Sequence, residues 1–129
     1  MPAIATLSIN DGQASPAAHS FAPVSTDGTR AKWADRSPSI PAGFKLLSIE
    51  MAEPSGNRTV HKVTFGFTDP VVASVDGADT VVRYNSAKVE LNINPDSTLQ
   101  NRKDILAYVA NCLDHASVKS AVENLEPFY

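Results

Sequence analysis

The chain changes its hydrophobic period once, near Pro95, and that change limits the folds open to it. Before Pro95, short runs alternate apolar and polar residues. In "KLLSIEMAE", Leu47, Ile49 and Met51 point one way and Ser48, Glu50 and Ala52 the other. In "RYNSAKVELNIN", Ala87, Val89, Leu91 and Ile93 oppose Tyr84, Ser86, Lys88, Glu90 and Asn92. Ala5, Leu7 and Ile9 share a face, and "RAKWADR" alternates around Trp33. The stretch "RTVHKVTFGF" reads as a strand with Thr59, His61, Val63, Phe65 and Phe67 on its apolar side. Arg58, Val60, Lys62, Thr64 and Gly66 lie on the other. Asp11-Gly12, Asp27-Gly28, Asp76-Gly77 and "EPSGNR" are turn signals between these runs. About six strands joined by tight turns form an antiparallel meander.

After Pro95-Asp96-Ser97, a helix start signal, Ile105, Leu106, Tyr108, Val109, Cys112 and Leu113 repeat at helical spacing. Ser117 is positioned to cap a second short helix with Val118, Ala121, Val122 and Leu125 on its stripe, and Pro127 stops it. The fold class is therefore α+β. At 129 residues the chain is expected to form one domain, with the sheet in about 1–95 and the helices in 96–129. One helical segment lying across a sheet of about six strands leaves apolar surface bare. A symmetric dimer that joins sheets edge to edge, each helix covering the partner's sheet, meets that need.

Composition excludes several classes. A hydrophobic share of 43% with 19% charged residues is that of a globular chain. A net charge of −3 argues against a wholly basic surface but leaves room for a local basic patch. The N-terminus carries no secretory pattern, and no run approaches the roughly 18 apolar residues of a membrane span. Cys112 is the single cysteine, so no intrachain disulfide is expected; on its apolar stripe it reads as a buried, inert thiol. His19, His61 and His115 form no metal-ligand pattern, and His61, on an apolar strand face, reads as a hydrogen-bonded structural residue. Asp69, Asp76 and Asp79 do not match a calcium loop. With no phosphate loop and no nucleophile motif, no catalytic constellation, cofactor or metal is expected.

The polar strand face remains. Arg58, Lys62 and Lys88 fall on it, with Arg83 and Lys45 close by, and Ser48, Thr64, Ser86 and Asn92 add hydrogen-bonding groups. Tyr84 offers a ring for base stacking. Glu50 and Glu90 reduce its net charge, and a plain solvated face is the competing reading.

The residues "EPSGNRTVHKVTFGFTDP", "SAKVELNI", the helix opening "PDST" and the ending "SAVENLEPFY" resemble the coat proteins of small single-stranded RNA bacteriophages, the leviviruses, of Q-beta type. The hairpin P-S-x-N-R and the final A-x-x-x-L-x-P-x-Y, here Ala121, Leu125, Pro127 and Tyr129, carry the likeness, together with Trp33. It is firm from about Ile40 and loose before it. The resemblance implies an N-terminal hairpin, a meander sheet and two C-terminal helices in an interlocked homodimer. It implies an icosahedral shell, usually T=3, assembled in the bacterial cytoplasm around genomic RNA. It also implies that the sheet face binds a genomic RNA stem-loop, which represses replicase translation. Carried over by position, Ser48, Glu50, Val60, Lys62, Thr64, Ser86 and Lys88 occupy that surface. The family's stacking tyrosine aligns with Ser86; Tyr84 lies about 7 Å away along the strand. The loop from about Val71 to Thr80, with Val72, Ala73, Ser74, Val75, Asp76 and Gly77, is expected to meet its copies at the symmetry axes. It holds no cysteine, so non-covalent, less heat-resistant vertices are expected. A dimeric RNA-binding regulator that forms no shell is the alternative; the apolar "VVASV" segment speaks for the shell.

Overall fold

The computed structural model describes residues 2–129. Six strands come first: β1 (Leu7–Asn10), β2 (Ala18–Thr26), β3 (Arg30–Asp35), β4 (Lys45–Ala52), β5 (His61–Val75) and β6 (Ala78–Ile93). Helices α1 (Leu99–Asp114) and α2 (Ala116–Asn124) follow. The strands lie side by side in chain order, which is the expected meander with an N-terminal hairpin. The chain divides into two compact units, Met1–Asn92 and Ile93–Tyr129.

Turn chemistry sets the strand ends. Asp27 Oδ1 accepts from the backbone N–H groups of Thr29 at 3.0 Å and Arg30 at 2.7 Å, closing the β2–β3 turn around Gly28. Asp76 (φ 50°) and Gly77 (φ 79°) both take the left-handed conformation that a two-residue hairpin needs, which Asp-Gly accepts at low cost. This turn corrects the expected open loop over 71–80. Val72, Ala73, Ser74 and Val75 belong to β5, and only Asp76 and Gly77 lie between the strands. Asp11-Gly12, by contrast, opens a longer loop, in which the Asp11 carboxylate gathers the N–H groups of Gln13 and Ala17. The strand expected from Arg58 begins instead at His61. Arg58 sits in a turn, bridged to Ser55, and Val60 precedes the strand.

The core follows from register. Trp33 pairs with Leu47, and Leu47 with Phe67, so one row of large side chains crosses β3, β4 and β5 on the same face. Phe21 of β2 meets Phe67 edge to face, with ring centroids 6.3 Å apart. β2 and β5 are not neighbours in the sheet, so the contact requires the β1–β2 end to curl over the apolar face. The curl occurs where β2 changes partner. Its first half pairs with β1 and its second with β3, with a register shift between Pro23 and Ser25. Phe21, Trp33 and Leu47 are buried together, with Ile4, Leu7, Ile9 and Ile49 packed around them. The Trp33 indole N–H donates to Ala5 O at 2.8 Å and ties down the chain before β1. The hairpin thus covers part of the face that the sequence pattern left bare.

A charged cluster lies beside Phe21 on the same side of the hairpin. His19 Nδ1 lies 2.9 Å from Asp35 Oδ2, and Nε2 lies 3.0 Å from Asp11 Oδ2. A neutral imidazole has one N–H and would turn a lone pair toward the second carboxylate, so the protonated ring fits both contacts. The hydrogen bonds to Asp11 and then Asp35 accordingly raise the His19 pKa above its ordinary value. Asp11 falls to about 2, held down first by the Ala17 N–H and then by His19. Burial pushes the Asp35 carboxyl up, but hydrogen bonds from His19 and Ser37 outweigh it and leave the group below its ordinary value.

In the helical unit, Thr98 caps α1 directly after the Pro95-Asp96-Ser97 start signal. Its hydroxyl accepts from Asn101 N, and the Asn101 side chain accepts from Thr98 N. His115, not Ser117, caps α2; its Nδ1 accepts from Ser117 N at 3.2 Å. Neither helix has a buried side chain, and Cys112 is exposed rather than buried.

The cluster predicts a pH window. A raised imidazole pKa stabilises fully below the ordinary value of 6.5 and is lost as pH rises through the folded value. The lowered carboxyl values stabilise above 3.8 and are lost as pH falls through the folded values. Hydrogen-exchange protection of the β1 amides, taken relative to the intrinsic exchange rate at each pH, is therefore expected to be greatest between these limits and to fall toward alkaline pH. In His19→Gln the alkaline change should disappear; an unchanged profile would rule out His19 as its source.

Candidate nucleic-acid interface

Strand alternation places the polar surface opposite the Trp33–Leu47–Phe67 row. Glu50 pairs with Thr64, Ser48 with Gly66, and Ala52 with Lys62, so these groups stand together on β4 and β5. β3 adds Arg30 opposite Glu50 and Lys32 opposite Ser48. β6 adds Ser86 and Lys88, and Arg58 closes one end, all lining one shallow concavity.

Of the residues expected here, Ser48, Glu50, Arg58, Lys62, Thr64, Ser86 and Lys88 are brought together. Val60 is half-buried before β5 and does not line the concavity. Tyr84 shares the alternation of Ser86 and Lys88, but its ring lies outside the concavity and is 67% exposed. Lys45 belongs to the opposite face. It is paired in register with Asp35, forms an ion pair with Asp69 at 2.6 Å, and borders the cleft that holds His19 and Phe21.

Arg30 and Lys32 line the surface and were missed in the sequence reading. The signal was present in "RAKWADR": with Trp33 inward, Arg30 and Lys32 fall on the opposite side of the alternation. Arg30 also changes the role of Glu50. Its Nε and Nη2 donate to Glu50 Oε2 at 3.0 and 2.6 Å, so the carboxylate that reduces the net charge of this face is already matched. Glu90 is likewise paired, with Lys62. Arg58 is tethered, its Nη2 donating to Glu53 O and Ser55 Oγ, while its Nε is buried without a partner. Lys32 and Lys88 form no ion pair among the described residues and are exposed. The surface can therefore present two free ammoniums, two carboxylate-matched cations and several hydroxyls to an anionic ligand. Among the described residues, no group of three or more His, Cys, Asp or Glu side chains is arranged to hold a metal ion.

Comparison with known proteins places this architecture. The family profile described as levivirus coat protein matches residues 2–129. The capsid protein of Enterobacteria phage SP is 32% identical over 91 residues, covering 70% of this chain and 69% of that protein. Among solved structures, the virus-like particle of bacteriophage NT-214 superposes with a TM-score of 0.87 at 32% identity, covering 98% of each chain. That of Beihai levi-like virus 21 gives a TM-score of 0.89 at 27% identity, covering 99% of each chain. The chain belongs to the levivirus coat protein family, a family of capsid-forming structural proteins and not of enzymes.

The β5–β6 tip is braced from behind. A short 3-10 turn, Pro41–Gly43, packs on β5, and Ser39 Oγ donates to Asp79 near the tip. A Cβ at Gly43 would stand 2.3 Å from the Val72 Cγ2 methyl, on a stiff β-branched side chain. Gly43→Ala is expected to cost about 1–3 kcal/mol through this overpacking. Denaturant unfolding checks it, and a wild-type midpoint would mean that the turn and β5 are not in firm contact.

Proposed function

We propose that this coat protein acts as a homodimer that assembles into a T=3 icosahedral shell around single-stranded genomic RNA. The polar sheet face looks inward at the RNA, and the virion forms in the bacterial cytoplasm. The observation that carries the RNA assignment is the gathering of Arg30, Lys32, Arg58, Lys62 and Lys88 in one concavity of a chain whose net charge is −3. A stem-loop bound there would repress replicase translation from the same surface. Ser86 in place of a stacking aromatic, with Tyr84 displaced outside the concavity, favours modest affinity for such a hairpin. Many weak sites linked in one shell still retain RNA through avidity.

Dimerisation has independent support. β6 is a 16-residue edge strand whose outer hydrogen-bonding groups have no neighbour in the sheet order. Leu106, Tyr108 and Leu113 of α1 and Val122 of α2 are exposed apolar side chains. A second copy of the chain, pairing at β6 and covering these stripes, accounts for both. The 1–129 chain then works as one coat domain, its β5–β6 tips, with Val72 to Val75 beside Asp76 and Gly77, meeting at the symmetry axes.

Electron microscopy of the protein purified from bacteria, with absorbance at 260 and 280 nm on the same fraction, tests the proposal. Uniform round shells with nucleic-acid absorbance are expected. Lys62→Ala combined with Lys88→Ala should lower the encapsidated RNA and leave dimers intact. A small dimer that forms no particles under any assembly condition would transfer the function to a soluble RNA-binding regulator.

A further inference from the structure

The cations of the polar face are not equivalent. Arg30 is held by two hydrogen bonds to Glu50 Oε2, and Lys62 is paired with Glu90. A phosphate reaching either must compete with a carboxylate already in place. Arg58 spends its Nη2 on Glu53 O and Ser55 Oγ. Lys32 and Lys88 have no such partner among the described residues and keep their whole charge for an incoming anion.

Their placement adds a path. Lys32 on β3 pairs with Ser48 on β4, and Ser48 with Gly66 on β5, so one row across the sheet has a hydroxymethyl and a hydrogen for its floor. A Cβ at Gly66 would meet Ser48 Oγ at 3.1 Å, so any larger residue would fill this floor. Lys88 and Ser86 of β6 border the far side of the same concavity. From β3 to β6 is three strand spacings, about 14 Å. Two unpaired ammoniums thus bracket a low track that runs across the strands.

Resting on the proposed RNA-facing role of this face, we infer that Lys32 is a phosphate-binding residue. The RNA backbone crosses the strands along the Lys32–Ser48–Gly66 row toward Lys88. The contact surface therefore includes β3, and Arg30 and Lys62 act as reserve cations that Glu50 and Glu90 hold in position. A phosphate contact by a lysine carries no base information, so Lys32 contributes affinity without sequence preference.

The test is the salt dependence of binding by the intact protein to a short single-stranded RNA of mixed sequence. Lys32→Ala, Lys88→Ala and, as a control on an exposed part of α1, Lys103→Ala are compared with wild type. Removing one lysine–phosphate pair lowers the slope of log K against log salt by about 0.7 for a single strand. Lys32→Ala and Lys88→Ala should each show that decrease, Lys32→Arg should restore the wild-type slope, and Lys103→Ala should match wild type. A normal slope for Lys32→Ala beside a reduced one for Lys88→Ala overturns the assignment of Lys32 and leaves the RNA-facing reading in place. Normal slopes for both remove the RNA from this face altogether, and an equal decrease in Lys103→Ala reduces the effect to net charge.

Discussion

The row Trp33–Leu47–Phe67, with Phe21 folded back onto Phe67, is the interaction on which the other features depend. Side chains on a strand alternate, so a slip of one residue would exchange the two faces of every strand. Anchoring three large side chains in one row makes such a slip costly, since it would move each of them into water. The same anchor decides which residues face the other way. Lys32 is outward because Trp33 is inward, and Ser48 and Gly66 are outward because Leu47 and Phe67 are inward. The polar face is thus a consequence of the core.

Much of this was legible in the sequence because the alternation of β4, β5 and β6 is clean. Leu47, Ile49 and Met51 against Ser48 and Glu50 left one choice of face. The turn dipeptides Asp27-Gly28 and Asp76-Gly77 were legible for the same kind of reason: their chemistry is local. β2 was not singled out. Its residues "AHSFAPVST" mix polar groups with a proline, and the strand divides its pairing between two neighbours at a register shift, so no single period runs through it. The Phe21–Phe67 contact and the His19 cluster, both made by β2, are long-range and leave no local trace. The β5–β6 tip was misread as loop because "VVASVDGADT" lacks alternation, although its β-branched residues carry the strand up to the Asp76-Gly77 turn. At Arg58 the turn signal "EPSGNR" and the strand pattern overlapped, and the turn prevailed because Ser55 and Arg58 bridge each other. Cys112 shows the opposite limit: a helical stripe is apolar whether its cover comes from the same chain or from another.

That last point bears on how a chain of this size is stabilised. Few apolar side chains are buried among the described residues: Phe21, Trp33, Ala34, Leu47 and Pro70. A small domain buries a modest share of its surface in any case, and a wide sheet cannot close on itself. The curled β1–β2 hairpin covers one part of the apolar face, and the His19 imidazole fastens that hairpin between Asp11 of the β1–β2 loop and Asp35 of β3. The bare β6 edge and the exposed stripes of α1 and α2 are surfaces that would invite aggregation in a monomer. In the proposed dimer they are the means by which a second copy completes the core, so stability and assembly share one requirement.

The charges of the polar face follow a related economy. The proposed shell would meet an RNA whose sequence differs at nearly every subunit, so a face built for tight, specific contact would serve only one site. Surface ion pairs such as Arg30–Glu50 and Lys62–Glu90 contribute little to fold stability, since solvent screens them. Their effect on ligand binding is larger in principle, because each carboxylate lowers the attraction its cation offers to phosphate while fixing that cation in the concavity. A face with two free lysines and two matched cations attracts a polyanion without gripping any one segment of it. Affinity then accumulates from the number of subunits engaged and not from any single site. In the proposed shell, the placement of Glu50 and Glu90 among the cations is therefore compatible with RNA packaging and restricts how strongly each subunit takes part in it.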